Sequence, residues 1–585
     1  MKFDKQRSFR KSMTWVHTWS GLPVGWLLFA IFVTGTLSFY RLEITQWMQP
    51  ETQQATIYDH GRGLEHATAL LDQYGRDAEQ WTIDFPTARS PVYQVRWRVP
   101  EPAEGRGNGK ADNHHAPKAE QQRPANAEQH HDSAAAANAT SSSQLKPLDG
   151  FRGIKYFVMD PATGQVITPR ETAGGEFLYR FHFQLYGMHW SIGRTLVVIA
   201  TFFMFVAIIT GVIIHRNIFK DFFSFRPRKG QRSWLDAHAA TSVIALPFHL
   251  ILTFSGLLFL AGQLLPVVAG AAYNGDPRGF LRDYRGFNNG ERSAPNPNSA
   301  KLYDINSIAA DALQRAPSGI DTINIKRPGK ADAEITVTTL DASLFTGKSS
   351  LANLQYNGVT GQFMPPAERG HSAAETIWKF MLATHMGLFA TPLTRALLFL
   401  SGVLGSVMIA SGLVMWLVAR EKERQKLGTS PKGHRLVERL NVAAIAGLMC
   451  AVAGFFWANR LVPATQANRA EWEINGFFIV WGVCLIHAIL RPHLAAWRDQ
   501  LLLAALGLIS LPLLNGLSGG NFIWQNLQQG QFAVVGFDLT ALALGLSLLY
   551  AARQVQLKLT AAKATAPTPA QQPYSSPQAD TLQEQ

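Results

Sequence analysis

Apolar and polar residues alternate along this chain in long blocks. Eight apolar stretches, each long enough to cross a bilayer as a helix of about 20 residues, are separated by polar segments of very unequal length. Two of the polar segments are long enough to form small domains, whereas short connections join the last four apolar stretches. The pattern predicts a polytopic α-helical membrane protein with about eight transmembrane helices (TM1–TM8) and two α+β modules outside the membrane.

The boundaries follow from where each apolar stretch meets its charged flanks. In chain order we predict a basic N-terminus at 1–13, TM1 at 14–40, a first polar module at 41–190 with a low-complexity insertion at 101–146, TM2 at 191–215, a basic loop at 216–232, TM3 at 233–268, a second polar module at 269–392, TM4 at 393–419, a basic loop at 420–440, four further spans at 441–553 and a disordered tail at 554–585.

The two polar modules have the same plan. Each begins with a helical pattern and continues with an alternating strand, VYQVRWRV from Val92 in the first and EITVTTL from Glu334 in the second. Each then has a turn, MDPATGQV or YNGVTGQF, in which Gly164 and Gly361 take equivalent positions. The module is therefore predicted to be duplicated. The insertion and the tail are rich in Ala, Gln and Ser and too poor in apolar residues to fold alone.

Charge and cysteine content narrow the function classes. The formal net charge is +13, but Lys and Arg are concentrated in short loops beside apolar stretches, as in proteins of the bacterial cytoplasmic membrane. This distribution indicates a lipid bilayer, not nucleic acid, as the partner, and it places both termini in the cytoplasm and both modules in the periplasm. The chain has two cysteines, too few to ligate an iron–sulfur cluster.

Spacings within the spans also repeat. The interval from His17 to Gly35 equals that from His238 to Gly256, and in TM2 and TM4 an arginine precedes a glycine by a common interval. A small hydroxyl residue comes before each glycine. We therefore predict that the first four spans are a duplicated two-helix repeat whose halves run in the same direction. Four glycines, which allow close approach either of a flat macrocycle or of a packed helix, are Gly35, Gly211, Gly256 and Gly412.

The histidines of these spans sort by depth. His17, His215 and His238 belong at the cytoplasmic side, while His182 and His385 lie just before TM2 and TM4 at the other side. In a straight TM3 helix, the eleven residues from His238 to the sixth candidate, His249, would put both rings on one face, with His249 about 16 Å deeper. Ionisable groups at membrane depth are functional candidates because leaving them unpaired in lipid is costly.

Imidazole is a suitable axial ligand for b-type haem, and the chain has no CxxCH motif for covalent attachment. An inner haem could use His238 with His17 or His215, and an outer haem could use His249 with His385 or His182. Two arginines at the outer helix ends, Arg194 and Arg395, are placed either to meet haem propionates or to reach the interface. Ligand candidates of lower weight are His189 and Met386, and His487 and His493 are expected at the membrane surface.

Several motifs resemble the PepSY-associated transmembrane-helix family, which includes iron-regulated ferric-siderophore reductases of the bacterial inner membrane. They are WVHTWSGL with VTGTLSF, RFHFQLYGMHWSIGR with ITGVIIHR, WLDAHAATSVIALPFHLILTFSGL, and ATHMGLFATPLTR with ASGLVMW. The resemblance covers about residues 10–420 and implies haem-bearing histidines, PepSY-like modules and iron-related electron transfer. Trp416 stands at the repeat position that matches His215, which breaks the symmetry of the ligand set.

The leading hypothesis is an electron-transfer protein with two b-type haems that reduces a periplasmic ferric chelate such as a ferric siderophore. No Rossmann or flavin motif is evident, so the electron donor would be quinol or a separate cytoplasmic reductase. One alternative is a non-redox PepSY protein that binds peptides or regulates a peptidase. Another is a transporter of iron chelates or other solutes. The sequence identifies no catalytic residue beyond the haem ligands.

Overall fold

A computed structural model describes residues 5–53, 60–99, 145–149, 154–215, 230–273, 298–340, 353–365 and 373–564, together with residues 226 and 296. Residues 101–144 of the predicted low-complexity insertion and the tail beyond Ala564 lie outside these ranges. The described chain divides into a bundle of long apolar helices and one antiparallel sheet with two helices of its own.

Helices of the first half of the bundle, in chain order, are α1 (Lys5–Ser38), α2 (Arg41–Met48), α4 (Gly174–Gln184), α5 (Trp190–Ile214), α6 (Gln231–Ile244), α7 (Leu246–Ala272), α9 (Ala373–Met386) and α10 (Pro392–Ala419). Those that follow are α11 (Glu421–Leu427), α12 (Lys432–Asn441), a π-helical turn (Val442–Ala446), α13 (Gly447–Leu461), α14 (Arg469–Leu490), α15 (His493–Ile509), α16 (Leu511–Leu517), α17 (Ile523–Gln528) and α18 (Phe532–Ala564). The two helices of the sheet region are α3 (His60–Tyr74) and α8 (Ile305–Arg315).

Among the described residues, six helices are long and apolar enough to cross a membrane, and two bent helix pairs would bring the number to eight. The prediction of a polytopic helical membrane protein is therefore confirmed. One bent pair is α6 with α7, which meet at 69°. Because Pro247 in the first turn of α7 has no N–H to continue the helix, the chain bends at Ala245. The expectation that His238 and His249 share one face of a straight helix is wrong, since the bend separates them.

Two other predicted boundaries are also wrong. The basic segment 420–440, expected as a loop, is largely helical. α11 ends at Leu427, and its C-cap residue Gly428 has a left-handed φ of 63°. α12 runs on into TM5, so that this span covers Lys432–Leu461. The second boundary is the C-terminal tail, expected from residue 554, because α18 continues to Ala564. Polar residues alone do not end a helix. α12 and α18 continue through their polar residues because neither contains a proline.

Among the described residues, one nine-stranded sheet takes strands from both polar segments. The first segment supplies β1 (Gln80–Asp84), β2 (Tyr93–Arg98), β3 (Leu148–Asp149), β4 (Ile154–Met159) and β5 (Val166–Ile167), and the second supplies β6 (Ile320–Lys326), β7 (Glu334–Thr339), β8 (Asn353–Asn357) and β9 (Phe363–Met364). Strands β1 and β6 join the two sets, with Ile83 opposite Ile323 at the centre of an antiparallel pair. The two segments therefore form one continuous sheet, which the sequence pattern did not reveal.

Alternation along each strand sends apolar side chains to one face, where α3 and α8 contribute to the same core. Ile83, Val95, Ile323 and Val337 on this face are fully buried. The opposite face carries polar side chains, among them Thr82, Arg96 and Asn324. The loop after β1 fixes the sheet to the bundle, because Arg89 makes two hydrogen bonds to Glu43 (2.7 and 2.9 Å) and one to the carbonyl of Phe39 (3.0 Å).

A buried polar network attaches the last helices to the segment before α4. Arg469 and Glu473, both fully buried, form an ion pair at 2.5 Å. The Glu473 carboxylate also accepts hydrogen bonds from the Thr172 hydroxyl (2.7 Å) and the Ala173 backbone N–H (2.9 Å). Since the burial of an unpaired charge is costly, these bonds fix the position of α14 against the first half of the bundle.

Candidate functional site: two pairs of membrane histidines

Three of the six candidate histidines make the same hydrogen bond. In each of these rings Nδ1 lies against a backbone carbonyl of another helix, at 2.9 Å for His17 and Ala207, 2.8 Å for His182 and Ile31, and 2.8 Å for His238 and Met408. In the fourth ring, that of His385, Nδ1 lies 2.8 Å from the Ser255 hydroxyl, which itself donates to the Ile251 carbonyl, and the ring also interacts with the Leu252 backbone. A carbonyl can only accept, so Nδ1 carries the proton in these rings and Nε2 keeps its lone pair.

The accepting carbonyl always stands four residues before one of the repeated glycines. An added Cβ would meet a ring atom of His182 at Gly35 (2.5 Å), of His238 at Gly412 (3.2 Å), of His17 at Gly211 (3.3 Å) and of His385 at Gly256 (3.4 Å). The missing side chain lets the imidazole reach the second lone pair of the carbonyl. In this structure the glycines therefore contact histidine rings, whereas the sequence suggested contact with a macrocycle.

Local structure explains how the two histidines outside the long helices reach this position. His182 and His385 lie near the ends of the short helices α4 and α9. Each helix stops within three residues of its histidine at a left-handed position, Leu185 (φ 59°) or Gly387 (φ 62°). The chain then reverses into the next span, so that the histidine remains on the side of the bundle interior.

The four rings form two pairs. The centroids of His17 and His238 are 6.3 Å apart with the ring planes at 77°, and those of His182 and His385 are 6.2 Å apart with the planes at 38°. The first pair lies at the N-terminal ends of TM1 and TM3. The second lies at the other end of the bundle, toward the sheet. Two lone pairs from neutral imidazoles are thus available at each level.

The remaining two candidates are in different environments. His249 is buried, but its Nε2 bonds the Ser401 carbonyl at 3.1 Å, and its ring packs edge-on against Phe32 at 5.9 Å. Nε2, which keeps its lone pair in the four paired rings, is thus occupied in His249. His215 caps the C-terminus of α5 through its backbone N–H. The contacts favour His17 over His215 as the partner of His238. They also favour a pair of His182 with His385 over a pair of either residue with His249.

The predicted arginines lie near the sheet-side pair. Arg194 donates a hydrogen bond of 3.3 Å to Gln184, which follows His182 by two residues in the chain. The guanidinium of Arg194 packs on the Trp190 ring at 4.9 Å. Arg395 donates to the Ala390 carbonyl at 3.0 Å and lies 3.8 Å from Glu43.

Sequence reasoning missed Glu43 and its second partner, Arg89, because the three residues of this cluster come from α2, the loop after β1 and α10. Two guanidinium groups, those of Arg89 and Arg395, share the single Glu43 carboxylate. The cluster therefore keeps a net positive charge, which suits an anionic group at this level of the bundle.

Other predicted candidates lie away from the two pairs. His189 is the N-cap of α5, where its ring accepts from the Ser191 backbone N–H, and His487 faces Asp499 at 3.7 Å. Met386 ends α9 beside His385. Within the described ranges no group of three or more His, Cys, Asp or Glu side chains could hold a metal ion. Each level thus offers two imidazoles.

The bundle and its paired histidines define a polytopic helical membrane protein. Residues 14–419, more than half of the chain, match the model of the PepSY-associated TM region, and the chain belongs to this family. Among curated proteins no significant match to the chain is found. The match ends where α10 ends, so the last four spans lie beyond the family region.

Proposed function

We propose that the protein is an electron-transfer protein of the bacterial cytoplasmic membrane, in which two b-type haems carry electrons to a periplasmic ferric chelate, as in ferric-siderophore reductases. The observation that carries the proposal is the pairing of His17 with His238 and of His182 with His385. Bound haem iron would alternate between the ferric and ferrous states and supply one-electron transfer. Reduction of the chelate would release ferrous iron, which such ligands hold less tightly.

The distances support a haem held by each pair. The ring centroids are 6.3 Å apart in one pair and 6.2 Å apart in the other, so the two imidazoles of a pair would be close enough to hold the same haem, which would supply one-electron transfer. The hydrogen bonds at Nδ1 orient each ring and leave Nε2 as the donor to iron, an arrangement typical of metal-bound histidine. The four residues fit the group without a change of tautomer.

Charge near the sheet-side pair supports the same assignment. Haem propionates need cationic partners, and Arg194, Arg89 and Arg395 are within the same end of the bundle. His182 and His385 would hold the outer haem, next to the periplasm, and His17 and His238 the inner haem. Both termini would then be cytoplasmic. The sheet, which we propose consists of two duplicated PepSY-like modules, would lie in the periplasm beside the outer haem and receive the chelate.

Haem content and chemical reduction test this function. The protein is purified after haem-supplemented expression, and its reduced-minus-oxidised absorption spectrum is recorded with dithionite as reductant. We expect b-type bands, and we expect an added ferric hydroxamate chelate to reoxidise them while a ferrous-iron indicator gains colour. Haem bands that persist in the presence of the chelate would contradict the reductase assignment. The absence of any haem would contradict the electron-transfer assignment as well.

The polar sheet face favours one second candidate, the binding of peptides by a non-redox protein. A pocket where β1, β2 and β6 meet is lined by Gln80, Thr82, Arg96, Arg98 and Asn324 among others. It offers donors and acceptors that could bind an extended backbone. Peptide binding that depends on Arg98 and persists in a variant without the four paired histidines would support this candidate.

A further inference from the structure

A second group of polar side chains lies at the other end of TM4, where α10, α12 and α15 meet. His434 is only 6% exposed, yet neither of its ring nitrogens makes a hydrogen bond within the described residues. Nε1 of Trp416 and Nδ1 of His493 are also buried without a hydrogen-bond partner among the described residues. A buried polar group without a hydrogen-bond partner destabilises the fold, so three such side chains close together indicate a place where a polar ligand binds.

The group is continuous with the inner histidine pair. Gly412 contacts the His238 ring, and Trp416 follows one helical turn later, about 6 Å along α10. The ring centroids of Trp416 and His434 are 6.3 Å apart. A ligand in contact with both rings would therefore lie one helical turn from the inner pair while it contacts α12, which belongs to the last helices.

The group combines several acceptors with two donors, the Trp416 N–H and the Arg420 guanidinium, which lies over the Trp416 ring at 4.0 Å. Nδ1 of His434 lies 3.4 Å from Oε1 of Glu438, and the ring of His493 is within electrostatic range of both residues. Two imidazoles and a carboxylate can accept hydrogen bonds and protons from hydroxyl groups, and the Trp416 indole offers an aromatic face and an N–H donor. An aromatic diol that dissolves in the bilayer matches these groups.

We propose that Trp416, His434, Glu438 and His493 form a site for a membrane quinol, which is the electron donor of the protein. The inference rests on the proposed function, since it names the reductant of the inner haem. In the step, the quinol becomes a quinone by losing both hydroxyl protons and two electrons. One proton goes to His434 and the other to the Glu438 carboxylate. The two electrons would leave one at a time to the haem that His17 and His238 would hold, which would pass each one on and so accept both in turn.

This assignment also gives the last four spans a role. His434 and Glu438 belong to the helix that begins TM5, and His493 begins TM7, so three of the four side chains lie beyond the family region. The symmetric position to Trp416 in the first half is taken by His215. The site would thus be present only in the second half of the bundle, beside His238.

The test compares the His434→Gln variant with His487→Gln, a matched change of a histidine at the same end of the bundle that pairs with Asp499 instead. Binding of a short-chain quinone is measured by isothermal titration calorimetry on detergent-purified protein, prepared with and without haem. We expect His434→Gln to weaken binding at least tenfold and His487→Gln to leave it unchanged. A second variant, Trp416→Phe, keeps the aromatic face and should weaken binding less.

Rapid-mixing spectroscopy then separates the quinol site from the haem sites. Dithionite should reduce the haems of wild type and His434→Gln alike, whereas a short-chain quinol should reduce only those of the wild type and of His487→Gln. Equal quinol reduction in His434→Gln, or equal quinone binding, would overturn the proposed site. If dithionite reveals no haem in any variant, the proposed function fails, and the binding arm still decides whether the site exists.

Discussion

His182 and Gly35 belong to different helices and touch so closely that a methyl group on Gly35 would lie 2.5 Å from the Nδ1 atom of His182. That ring nitrogen donates to the Ile31 carbonyl, one turn earlier in α1. The glycine therefore makes room for the hydrogen bond that orients the ring. Gly256 follows His238 by the same interval as Gly35 follows His17, and a methyl group on Gly256 would be 3.4 Å from His385, an ordinary contact distance.

We predict that Gly35→Ala displaces His182 and disrupts the sheet-side site, while Gly256→Ala is tolerated. Overpacking of this kind typically costs about 1–3 kcal/mol, and the displaced ring would no longer hold Nε2 in line with His385. Haem quantification should give about half of the wild-type haem for Gly35→Ala and the full amount for Gly256→Ala. Equal haem in both variants would show that the glycine contact does not position the ring.

His249 should be dispensable for haem binding. Its Nε2 bonds the Ser401 carbonyl, and its ring packs on Phe32, so its replacement by alanine removes a structural contact. We expect His249→Ala to keep both haems and to lower thermal stability in detergent, with a cost of about 1–3 kcal/mol for the carbonyl left without its donor. The matched variant, His385→Ala, should lose the sheet-side haem. Loss of one haem in His249→Ala would restore the pairing first expected from the sequence.

The junction between β1 and β6 should be essential to the sheet. Ile83 and Ile323 face each other in the fully buried layer, and truncation of a buried isoleucine to alanine typically costs about 2–5 kcal/mol. We therefore predict that Ile83→Ala makes the sheet region sensitive to limited proteolysis. Thr82→Ala, on the polar face of the same strand, should resemble wild type. Equal resistance of both variants would mean that the two strand sets fold independently.

The buried pair of Arg469 and Glu473 should be needed to hold the last helices in place. Glu473→Gln leaves a buried guanidinium without its counter-charge, and breaking a buried pair typically costs about 3–5 kcal/mol. We expect a clearly lower unfolding temperature in detergent. The exposed pair of Arg180 and Glu176 is the control, because Glu176→Gln should cost at most about 1 kcal/mol. Similar effects of the two changes would argue against a structural role for the buried pair.

The membrane class and the positions of most spans could be predicted from the sequence, because block hydropathy depends on composition alone. The recurring intervals of His17, Gly35, His238 and Gly256 likewise pointed to the residues that meet in the bundle. The pairing of the histidines could not be predicted in this way. Nε2 of His249 is occupied by the carbonyl of Ser401, which is far away in the chain, so no spacing could exclude His249 as a ligand.

Tertiary contacts account for the other differences. The bend at Ala245 depends on Pro247, whose position the sequence shows, but the size of the bend depends on packing. The shared sheet requires two segments to meet edge to edge, and strand alternation does not specify the neighbour of an edge strand. His434 looked like part of a basic loop because its neighbours are charged, and its burial follows only from how α12 packs.

The most direct test of the central claim is the reduced-minus-oxidised spectrum, with haem quantification, of wild type and the four single variants His17→Ala, His182→Ala, His238→Ala and His385→Ala. We predict that His17→Ala and His238→Ala lose the same haem and keep the other, and that His182→Ala and His385→Ala lose the second haem and keep the first. A wild type without b-type haem, or variants whose losses do not group in these two pairs, would contradict the account.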